Sequence, residues 1–304
     1  MERSEDKAGR DRALPASDLD LTDAQVVTDL FDQAAEANLH SKHRQGATAH
    51  MPPEGRLWMS GDLHDNAPNL LRLLKLAKLD NSANHHLVLH ELIHGPHHVN
   101  GADLSVRMLA RAAALKLAHP TQVYILQANH ELAQLQGQEI SKGGVSVVGA
   151  FDAGVDFIYG HDAKRIRQAM DRFIRSFLLA VRCPNGILCS HSLPSPRQLP
   201  RFDPEVLNRV PTEEDLQSGG SAHMLVWGRN HTQDLADALC ERWGVQCFVM
   251  GHQPAEMGYE TEGRSMLVLA SDHDHGLALP IDLSRHYDLD DLVAQLVPLA
   301  SVVV

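Results

Sequence analysis

Short apolar runs alternate with helical patterns along most of the chain, and polar residues follow each run. Short apolar runs bounded by turn residues are typical of buried strands. Such runs predict strands over residues 56–60, 87–89, 123–126, 187–189, 248–250, 266–270 and 277–283. Helical patterns predict helices over residues 69–77, 102–117, 163–181 and 232–243, with a short one within 289–304. Strands alternating with helices favour an α/β fold, a layered sandwich.

The amino-terminal part of the chain has a different pattern. Residues 1 to about 20 are polar and predict a loosely attached tail. Thr22 is expected to cap a helix that ends at Leu39, and the segment from His40 to Glu54 has the composition of a loop. We therefore expect two parts, an N-terminal tail and helix over residues 1–50 and one larger domain over residues 51–304.

Composition and charge exclude several classes of protein. The chain has 43% hydrophobic and 22% charged residues, as ordinary globular proteins do. Its formal net charge of -12 would repel polyanions, so we expect neither a nucleic-acid duplex nor a membrane as a partner. No apolar run is long enough to span a bilayer, and the N-terminus lacks the apolar stretch of a signal peptide. The four cysteines form no CxxC pair, which favours buried, reduced thiols and a cytoplasmic location.

Histidine is unusually abundant, with 20 residues, and several histidines directly follow predicted strands. Loops after strands are where an α/β sheet places its ligands. The strand ends offer six candidate metal ligands, namely Asp62, His64, Glu91, Asn129, His191 and His252. Carboxylates, imidazoles and an amide oxygen suit a dinuclear site in which one carboxylate bridges two ions about 3.5–4 Å apart. A lone histidine after a strand is more often structural, but the order and context of the whole set favour a metal site.

The same residues, in this order, resemble the motifs of the calcineurin-like metallophosphoesterases, and within them of the phosphoprotein-phosphatase-like branch. The resemblance covers about residues 55–285, and its motifs are Gly61-Asp62-Leu63-His64, His90-Glu91-Leu92-Ile93-His94, Ala128-Asn129-His130-Glu131, His191-Ser192, Trp227-Gly228-Arg229 and Gly251-His252. It implies a β-sandwich flanked by helices, with a dinuclear metal site on loops at one edge. It also implies two divalent or mixed-valence ions of the Mn, Fe or Zn class, among which the sequence does not choose.

The resemblance further implies a role for each matching residue. Asp62 and His64 would bind the first ion, and Glu91 would bridge both ions. The remaining metal ligands would be Asn129, His191 and His252. His130 would be the general acid near the leaving group, and Arg229 would bind the phosphate of the substrate.

The chain departs from the family's motifs at positions that matter for the chemistry. Glu91 stands where the family has a bridging aspartate, which keeps the charge and adds one methylene. His94 stands where the phosphoprotein branch has an aspartate that supports the acid histidine, and Gly95 where it has a phosphate-binding arginine. We expect the support of His130 to be absent or to come from Glu131 or Asp65. We also expect His94 to contact the substrate phosphate in place of the arginine.

These observations predict metal-dependent hydrolysis of a phosphate ester by a hydroxide activated between two ions. The phosphorylated substrate is left open: a phosphoprotein, a nucleotide or dinucleoside polyphosphate, or a small phosphoester. The alternative is a non-catalytic metal-binding or phosphate-sensing domain that kept the fold, which the departures at His94 and Gly95 motivate. The six candidate ligands, together with His130, favour the enzyme.

Overall fold

A computed structural model of the chain describes residues 19–142 and 145–304, and its helices and strands are numbered in chain order. The helices are α1 (Ala24–Leu39), α2 (Ala67–Ala77), α3 (Val106–Ala118), α4 (Asn129–Gln136), α5 (Val147–Tyr159), α6 (Ala163–Arg175), α7 (Glu213–Leu216), α8 (Ser221–Trp227), α9 (Gln233–Trp243) and α10 (Leu289–Gln295). The strands are β1 (Arg44–Gln45), β2 (Thr48–His50), β3 (Arg56–Asp62), β4 (His85–His90), β5 (His98–Val99), β6 (Ala102–Asp103), β7 (Val123–Ile125), β8 (Ser141–Lys142), β9 (Val145–Ser146), β10 (Ala180–Arg182), β11 (Ile187–Ser190), β12 (Cys247–Met250), β13 (Tyr259–Glu262), β14 (Met266–Leu269), β15 (Leu277–Asp282) and β16 (Val297–Pro298). Most of the predicted polar tail, residues 1–18, lies outside the described residues. Within the described ranges, no helix combines the length and the apolar character that crossing a bilayer requires.

Two mixed β-sheets form the centre of the fold. One sheet has seven strands in the order β1-β2-β10-β11-β12-β14-β13, and the other has five in the order β16-β15-β3-β4-β7. Strands β3, β4 and β7 are parallel to one another, as are β11, β12 and β14. A parallel bridge between Asp62 and Ala270 joins the end of β3 to the residue after β14. The two sheets therefore meet at the carboxyl ends of these strands.

Apolar residues on both faces of each sheet are buried. Between the sheets, Met59 and Val88 of one sheet share a buried cluster with Val249 and Leu267 of the other. The outer face of the five-stranded sheet, which includes Trp58, packs with helices α1, α2, α3, α5 and α6. The outer face of the seven-stranded sheet packs with α8 and α9. The predicted layered α/β sandwich, a β-sandwich flanked by helices, is thus confirmed, and burial on both faces explains the continuous apolar runs.

The first helix begins later than predicted. Asp23 caps α1 by accepting hydrogen bonds from the backbone N–H groups of Gln25 and Val26. The hydroxyl of Thr22 donates to Asp20, so the prediction that Thr22 caps this helix is wrong. A carboxylate is at least as good an N-cap as a threonine hydroxyl, which explains why the next residue along the chain takes this role.

Other boundaries differ where a short strand replaces part of a predicted loop or helix. The predicted loop from His40 to Glu54 contains β1 and β2, and β2 pairs with β10. The helix predicted over residues 102–117 begins only after β6, and the helix predicted over 163–181 ends at Arg175, before β10. Strands this short depend on their pairing partners, so local periodicity did not indicate them.

Helix α1 packs against α6 of the larger predicted domain. The ring of Phe31 stacks on that of Phe173 with centroids 5.5 Å apart, and Asp32 forms an ion pair with Arg172. Apolar residues of α1 also belong to the cluster beneath the five-stranded sheet. The domain boundary between residues 50 and 51 stays a prediction.

Candidate metal centre

Loops at one edge of the two sheets bring the predicted metal ligands together. Asp62 is the last residue of β3, Asn129 is the first of α4, and His191 directly follows β11. The exposed fraction of each residue is 9% or less for Asp62, His64, Glu91, Asn129, His191 and His252. Parallel strands end at the same edge of a sheet, so residues far apart in sequence form one buried cluster.

Three donor atoms in this cluster lie close to the spacing of ligands that share one ion. Oδ1 of Asn129 lies 2.8 Å from Nε2 of His191 and 2.7 Å from Nδ1 of His252, and these two nitrogens are 3.2 Å apart. Donors bonded to one ion at about 2.0–2.2 Å lie about 3–3.5 Å apart. Oε2 of Glu91 is 3.7 Å from Nε2 of His191 and adds a fourth donor. The geometry fits one transition-metal ion.

Glu91 also belongs to a second group of donors. Its Oε2 lies 3.8 Å from Nε2 of His64, and its Oε1 lies 4.0 Å from Nε2 of His130. Oδ1 of Asp62 lies 3.7 Å from Nδ1 of His191. Three sets of donor atoms each lie within 4.8 Å of one another: Asp62, His90 and His191; His64, Glu91 and His130; Glu91, His191 and His252. Glu91 is shared between two of these sets, as a bridging carboxylate must be.

Backbone carbonyls fix the orientation of two imidazoles, that of His64 directly and that of His191 through His90. Nε2 of His90 donates to the carbonyl of Ser60 at 2.9 Å, so its Nδ1 is the nitrogen that accepts from Nδ1 of His191 at 3.0 Å. His191 therefore presents Nε2 to the other donors. Nδ1 of His64 likewise donates to the carbonyl of Ile93 at 2.9 Å. His90 was not among the predicted ligands. Its position before Glu91 was the signal, but only its contact with His191 shows what it does.

Burial dominates the electrostatics of the cluster. Burial and the neighbouring Asp62 carboxylate raise the pKa of Glu91 well above its usual range. Burial lowers the pKa of His191 well below its usual range, and burial together with the nearby Arg229 lowers the pKa of His252 to about 3. The imidazoles of His191 and His252 are therefore neutral near neutral pH, which is the form that binds metals.

The donor set fits transition-metal ions. Oε1 of Glu91 is buried without a hydrogen-bond partner among the described residues. Across residues 19–142 and 145–304, neither Glu91 nor Asp62 pairs with a lysine or an arginine, and their ion-pair partners are histidines. Buried carboxylates without a basic partner are costly, and a divalent cation would offset that cost. The mixture of carboxylate, imidazole and amide donors suits ions of the Mn, Fe or Zn class.

The backbone at the cluster adopts conformations that most residues avoid. His64, Glu91 and His252 have left-handed φ angles of 40°, 49° and 69°. Such conformations typically cost about 1–3 kcal/mol each and persist where the surrounding structure enforces them, often at functional sites. Gly251 lets the last of these loops approach closely, because a Cβ there would lie 2.1 Å from Oδ1 of Asp62.

His94 lies against His130, the predicted general acid. Nδ1 of His94 is 2.8 Å from Nδ1 of His130, and Nε2 of His94 is 3.0 Å from Oε1 of Gln134. The carboxylate of Glu131, one expected support for His130, accepts instead from the backbone N–H of Leu92 at 2.7 Å. His94 is 3% exposed, and both of its nitrogens have partners within the protein. This placement disfavours the expected contact between His94 and a substrate phosphate.

Position 95 has no room for a side chain. A Cβ there would lie 2.5 Å from Cβ of Asp65 and 2.9 Å from the carbonyl oxygen of His64. The backbone around Gly95 is therefore packed in a way that excludes the arginine of the family's motif. Asp65, the other expected support for His130, packs against this glycine.

Arg229, the predicted phosphate-binding residue, lies near His252 of the cluster. Gly228 packs so tightly that a Cβ there would be 1.7 Å from the carbonyl oxygen of Leu193. The neighbouring Trp227 ring has its centroid 6.4 Å from that of His252. Arg229 is exposed, and it forms no ion pair with any residue in the described part of the chain. Its positive charge lies close enough to contribute to the lowered pKa of His252.

Comparisons with known proteins agree with this geometry. A family model described as calcineurin-like phosphoesterase matches residues 55–256. The chain is similar in structure to a protein serine/threonine phosphatase from Saccharomyces cerevisiae with similarity to human phosphatase PP5, at 14% identity and a TM-score of 0.65, covering 91% of this chain and 93% of that chain. It is also similar to a cold-active protein-tyrosine phosphatase of a psychrophilic Shewanella species, at 17% identity and a TM-score of 0.53, covering 81% of each chain. No curated protein sequence matches the chain significantly.

At these identities the solved structures establish a shared fold, and it is the fold that the sequence predicted. The structure brings the six predicted ligands together with His130, and it places Arg229 next to them. It turns His94 toward His130 and Gln134. The individual roles of these residues stay predictions.

Proposed function

The chain belongs to the calcineurin-like phosphoesterase family, and from that membership we propose that it is a metal-dependent hydrolase in which His130 protonates the leaving group. The reaction class, hydrolysis of a phosphate ester, follows from the family and from a fold shared with protein phosphatases. The observation that best supports the metal-dependent mechanism is the position of Glu91. Its carboxylate lies within 4.0 Å of the imidazoles of two predicted ligands, His64 and His191, and of His130, the predicted acid.

Two ions would share the cluster. One would be held by Asp62, His64 and Glu91, and the other by Glu91, Asn129, His191 and His252. When bound, ions of the Mn, Fe or Zn class would supply a water nucleophile that ionises near neutral pH, and positive charge beside the phosphoryl group. The Glu91 side chain is one methylene longer than aspartate, and its backbone has a left-handed φ of 49°.

Arg229 and His130 would act on the substrate itself. The guanidinium of Arg229 can grip a phosphate through two parallel hydrogen bonds. It has no competing ion pair among the described residues. Nε2 of His130 faces the cluster, 4.0 Å from Oε1 of Glu91. In its doubly protonated form, His130 would give the Nε2 proton to an oxygen that leaves phosphorus.

The proposed substrate is a phosphorylated protein, a nucleotide or a small phosphoester. The net charge of -12 disfavours polyanions, so binding depends on the local positive charge of the ions and Arg229. We also propose a cytoplasmic location, because Cys183, Cys189, Cys240 and Cys247 are all free thiols.

Replacing Glu91 tests the proposal most sharply. The Glu91→Gln variant keeps the shape of the side chain and removes the charge that both ions would share. We expect turnover of an aryl phosphate to fall by at least about 100-fold and metal affinity to weaken. The Glu91→Asp variant keeps the charge and should retain part of the activity.

A matched control is Glu262→Gln, which neutralises a half-buried carboxylate that pairs with His231 outside the predicted ligand set. It should leave metal content and turnover near the wild-type values. Wild-type activity and metal content in Glu91→Gln would show that the bridge is assigned wrongly. Full metal content in a wild-type protein that hydrolyses no phosphate ester would favour the non-catalytic alternative.

A further inference from the structure

A chain of side-chain hydrogen bonds leads from helices α5 and α6 to His130. The guanidinium Nε of Arg167 lies 3.1 Å from Oδ1 of Asp152, and the amide of Gln134 donates to the same oxygen at 3.1 Å. Oε1 of Gln134 lies 3.0 Å from Nε2 of His94, and Nδ1 of His94 lies 2.8 Å from Nδ1 of His130. None of the first four residues is a predicted metal ligand.

Which atom donates and which accepts in each of these hydrogen bonds can be worked out from Asp152 inward. The carboxylate of Asp152, paired with Arg167, can only accept, so the amide nitrogen of Gln134 points toward it. The amide oxygen of Gln134 is thereby turned to His94, whose Nε2 must donate. An imidazole with a single proton then has an acceptor at Nδ1, and this nitrogen accepts from Nδ1 of His130.

Packing holds this arrangement in place. His94 is 3% exposed and Gln134 is 7% exposed. The ring of Phe151 meets the ring of His94 edge-on, with centroids 5.6 Å apart. The backbone N–H of His94 donates to Oγ of Ser105 at 3.0 Å, so the backbone and the ring are both fixed. His130 and Gln134 are one turn apart on α4, which lets His94 contact both.

We propose that Gln134 and His94 are positioning residues that hold one proton of His130 on Nδ1 and direct its Nε2 at the metal centre. When His130 acts as an acid it carries a second proton, and that proton sits on Nε2 and passes to the leaving oxygen. The catalytic consequence rests on the proposed function, but the tautomers do not. The neutral Gln134–His94 pair stands where the family's motif has a single aspartate at position 94. It keeps the direction of the hydrogen bond to His130 and omits the negative charge.

The first test reads the tautomers directly. Nuclear magnetic resonance of protein labelled with 15N in its imidazoles should show His94 protonated on Nε2 and His130 protonated on Nδ1. The pattern should hold in the zinc-loaded and the chelated protein. In Gln134→Leu, the His94 tautomer should no longer be fixed. Protonation of His94 on Nδ1 in the wild-type protein would overturn the proposal.

The second test uses leaving groups. In Gln134→Leu, turnover of an alkyl phosphate should fall by about 10–100-fold, with a smaller fall for nitrophenyl phosphate and unchanged KM and metal content. The matched control is Gln136→Leu, which removes a hydrogen bond from the same helix to the carbonyl of Leu216 and should change neither rate. If Gln134→Leu does not fold, Gln134→Met, closer in shape to glutamine, replaces it.

A double-mutant comparison separates positioning from general damage. If Gln134 acts through His130, then Gln134→Leu should add no further loss in a His130→Asn background. Additive losses, or equal losses for both leaving groups, would overturn the positioning role. The predicted tautomers in a protein without hydrolase activity would support the inference and count against the proposed function. A protein that hydrolyses phosphate esters but has the opposite tautomers would support the proposed function and overturn the inference.

Discussion

At the scale of single residues, Arg229 offers a test of substrate binding that leaves the ions untouched. It lies beside His252, exposed, and it forms no ion pair with a described residue. We expect Arg229→Ala to raise KM and lower turnover while metal content stays unchanged, because only the phosphate contact is lost. Arg229→Lys should restore part of the affinity, since lysine keeps the charge but lacks the two-pronged geometry.

The control for Arg229 is Arg264→Ala, which removes an exposed arginine that pairs with Asp237. Its kinetics should match those of the wild-type protein. An unchanged KM in Arg229→Ala would exclude the phosphate contact, and loss of folding would assign a structural role to Arg229.

His130 can be tested by comparing leaving groups. A general acid typically contributes about 10²–10⁴-fold, and this help matters most when the leaving oxygen is a poor one. We expect His130→Asn to slow hydrolysis of an alkyl phosphate by about that factor and hydrolysis of a nitrophenyl phosphate much less, with metal content unchanged. Equal slowing of both substrates, measured where chemistry limits the rate, would contradict the acid role.

The sequence predicted which residues meet at the sheet edge better than it predicted their surroundings. Asp62 ends a strand and the other five predicted ligands follow strands or begin a helix, so their order along the chain was visible, and the structure brings all six together. The role of His90 depends on its contact with His191, and the role of Gln134 depends on its contact with His94. In both pairs the two residues are far apart in sequence, and Gln134 belongs to no motif. Glu131 and Asp65 were the expected partners of His130. In the structure, His94 is the residue whose ring contacts that of His130.

At the scale of elements, the loop after β12 must approach β3 closely. A Cβ on Gly251 would lie 2.1 Å from Oδ1 of Asp62 and 2.5 Å from Cε1 of His90. We expect Gly251→Ala to displace the loop that carries His252, to weaken metal binding and to lower the free energy of unfolding by about 1–3 kcal/mol. Urea unfolding and metal analysis on one preparation check both effects.

The matched control for Gly251 is Gly149→Ala, a glycine of α5 whose added Cβ would come no closer than 3.2 Å to a side-chain oxygen. It should keep the metal content of the wild-type protein. A Gly251→Ala variant with unchanged stability and metal content would show that the loops at this edge can separate without consequence.

Elements with an apolar run or a helical pattern of their own were predictable, and several others were not, among them helix α5 (Val147–Tyr159). The apolar runs at β3, β4, β7, β11 and β12 and the helical pattern at α9 matched the structure closely, since each has a clear period of its own. The short strands β1, β2 and β6 exist because a neighbouring strand pairs with them. Pairing between distant segments leaves no periodic signal in a single chain.

At the scale of the whole molecule, two sheets meet at one edge and supply the centre together. The five-stranded sheet contributes Asp62, and the loops around it contribute His64 and Glu91. The loops of the seven-stranded sheet contribute His191 and His252. Bound ions would therefore join both sheets, and they would stabilise the folded state by mass action.

The most direct test of this account is metal analysis and phosphatase assay on the same preparation. Protein purified without chelator and supplied with Mn or Fe should contain close to two ions per chain and hydrolyse an aryl phosphate. Chelation should remove both the ions and the activity, and adding the metal back should restore both. Folded protein that reproducibly contains no metal after supplementation, or that hydrolyses phosphate esters equally well without metal, would contradict the account.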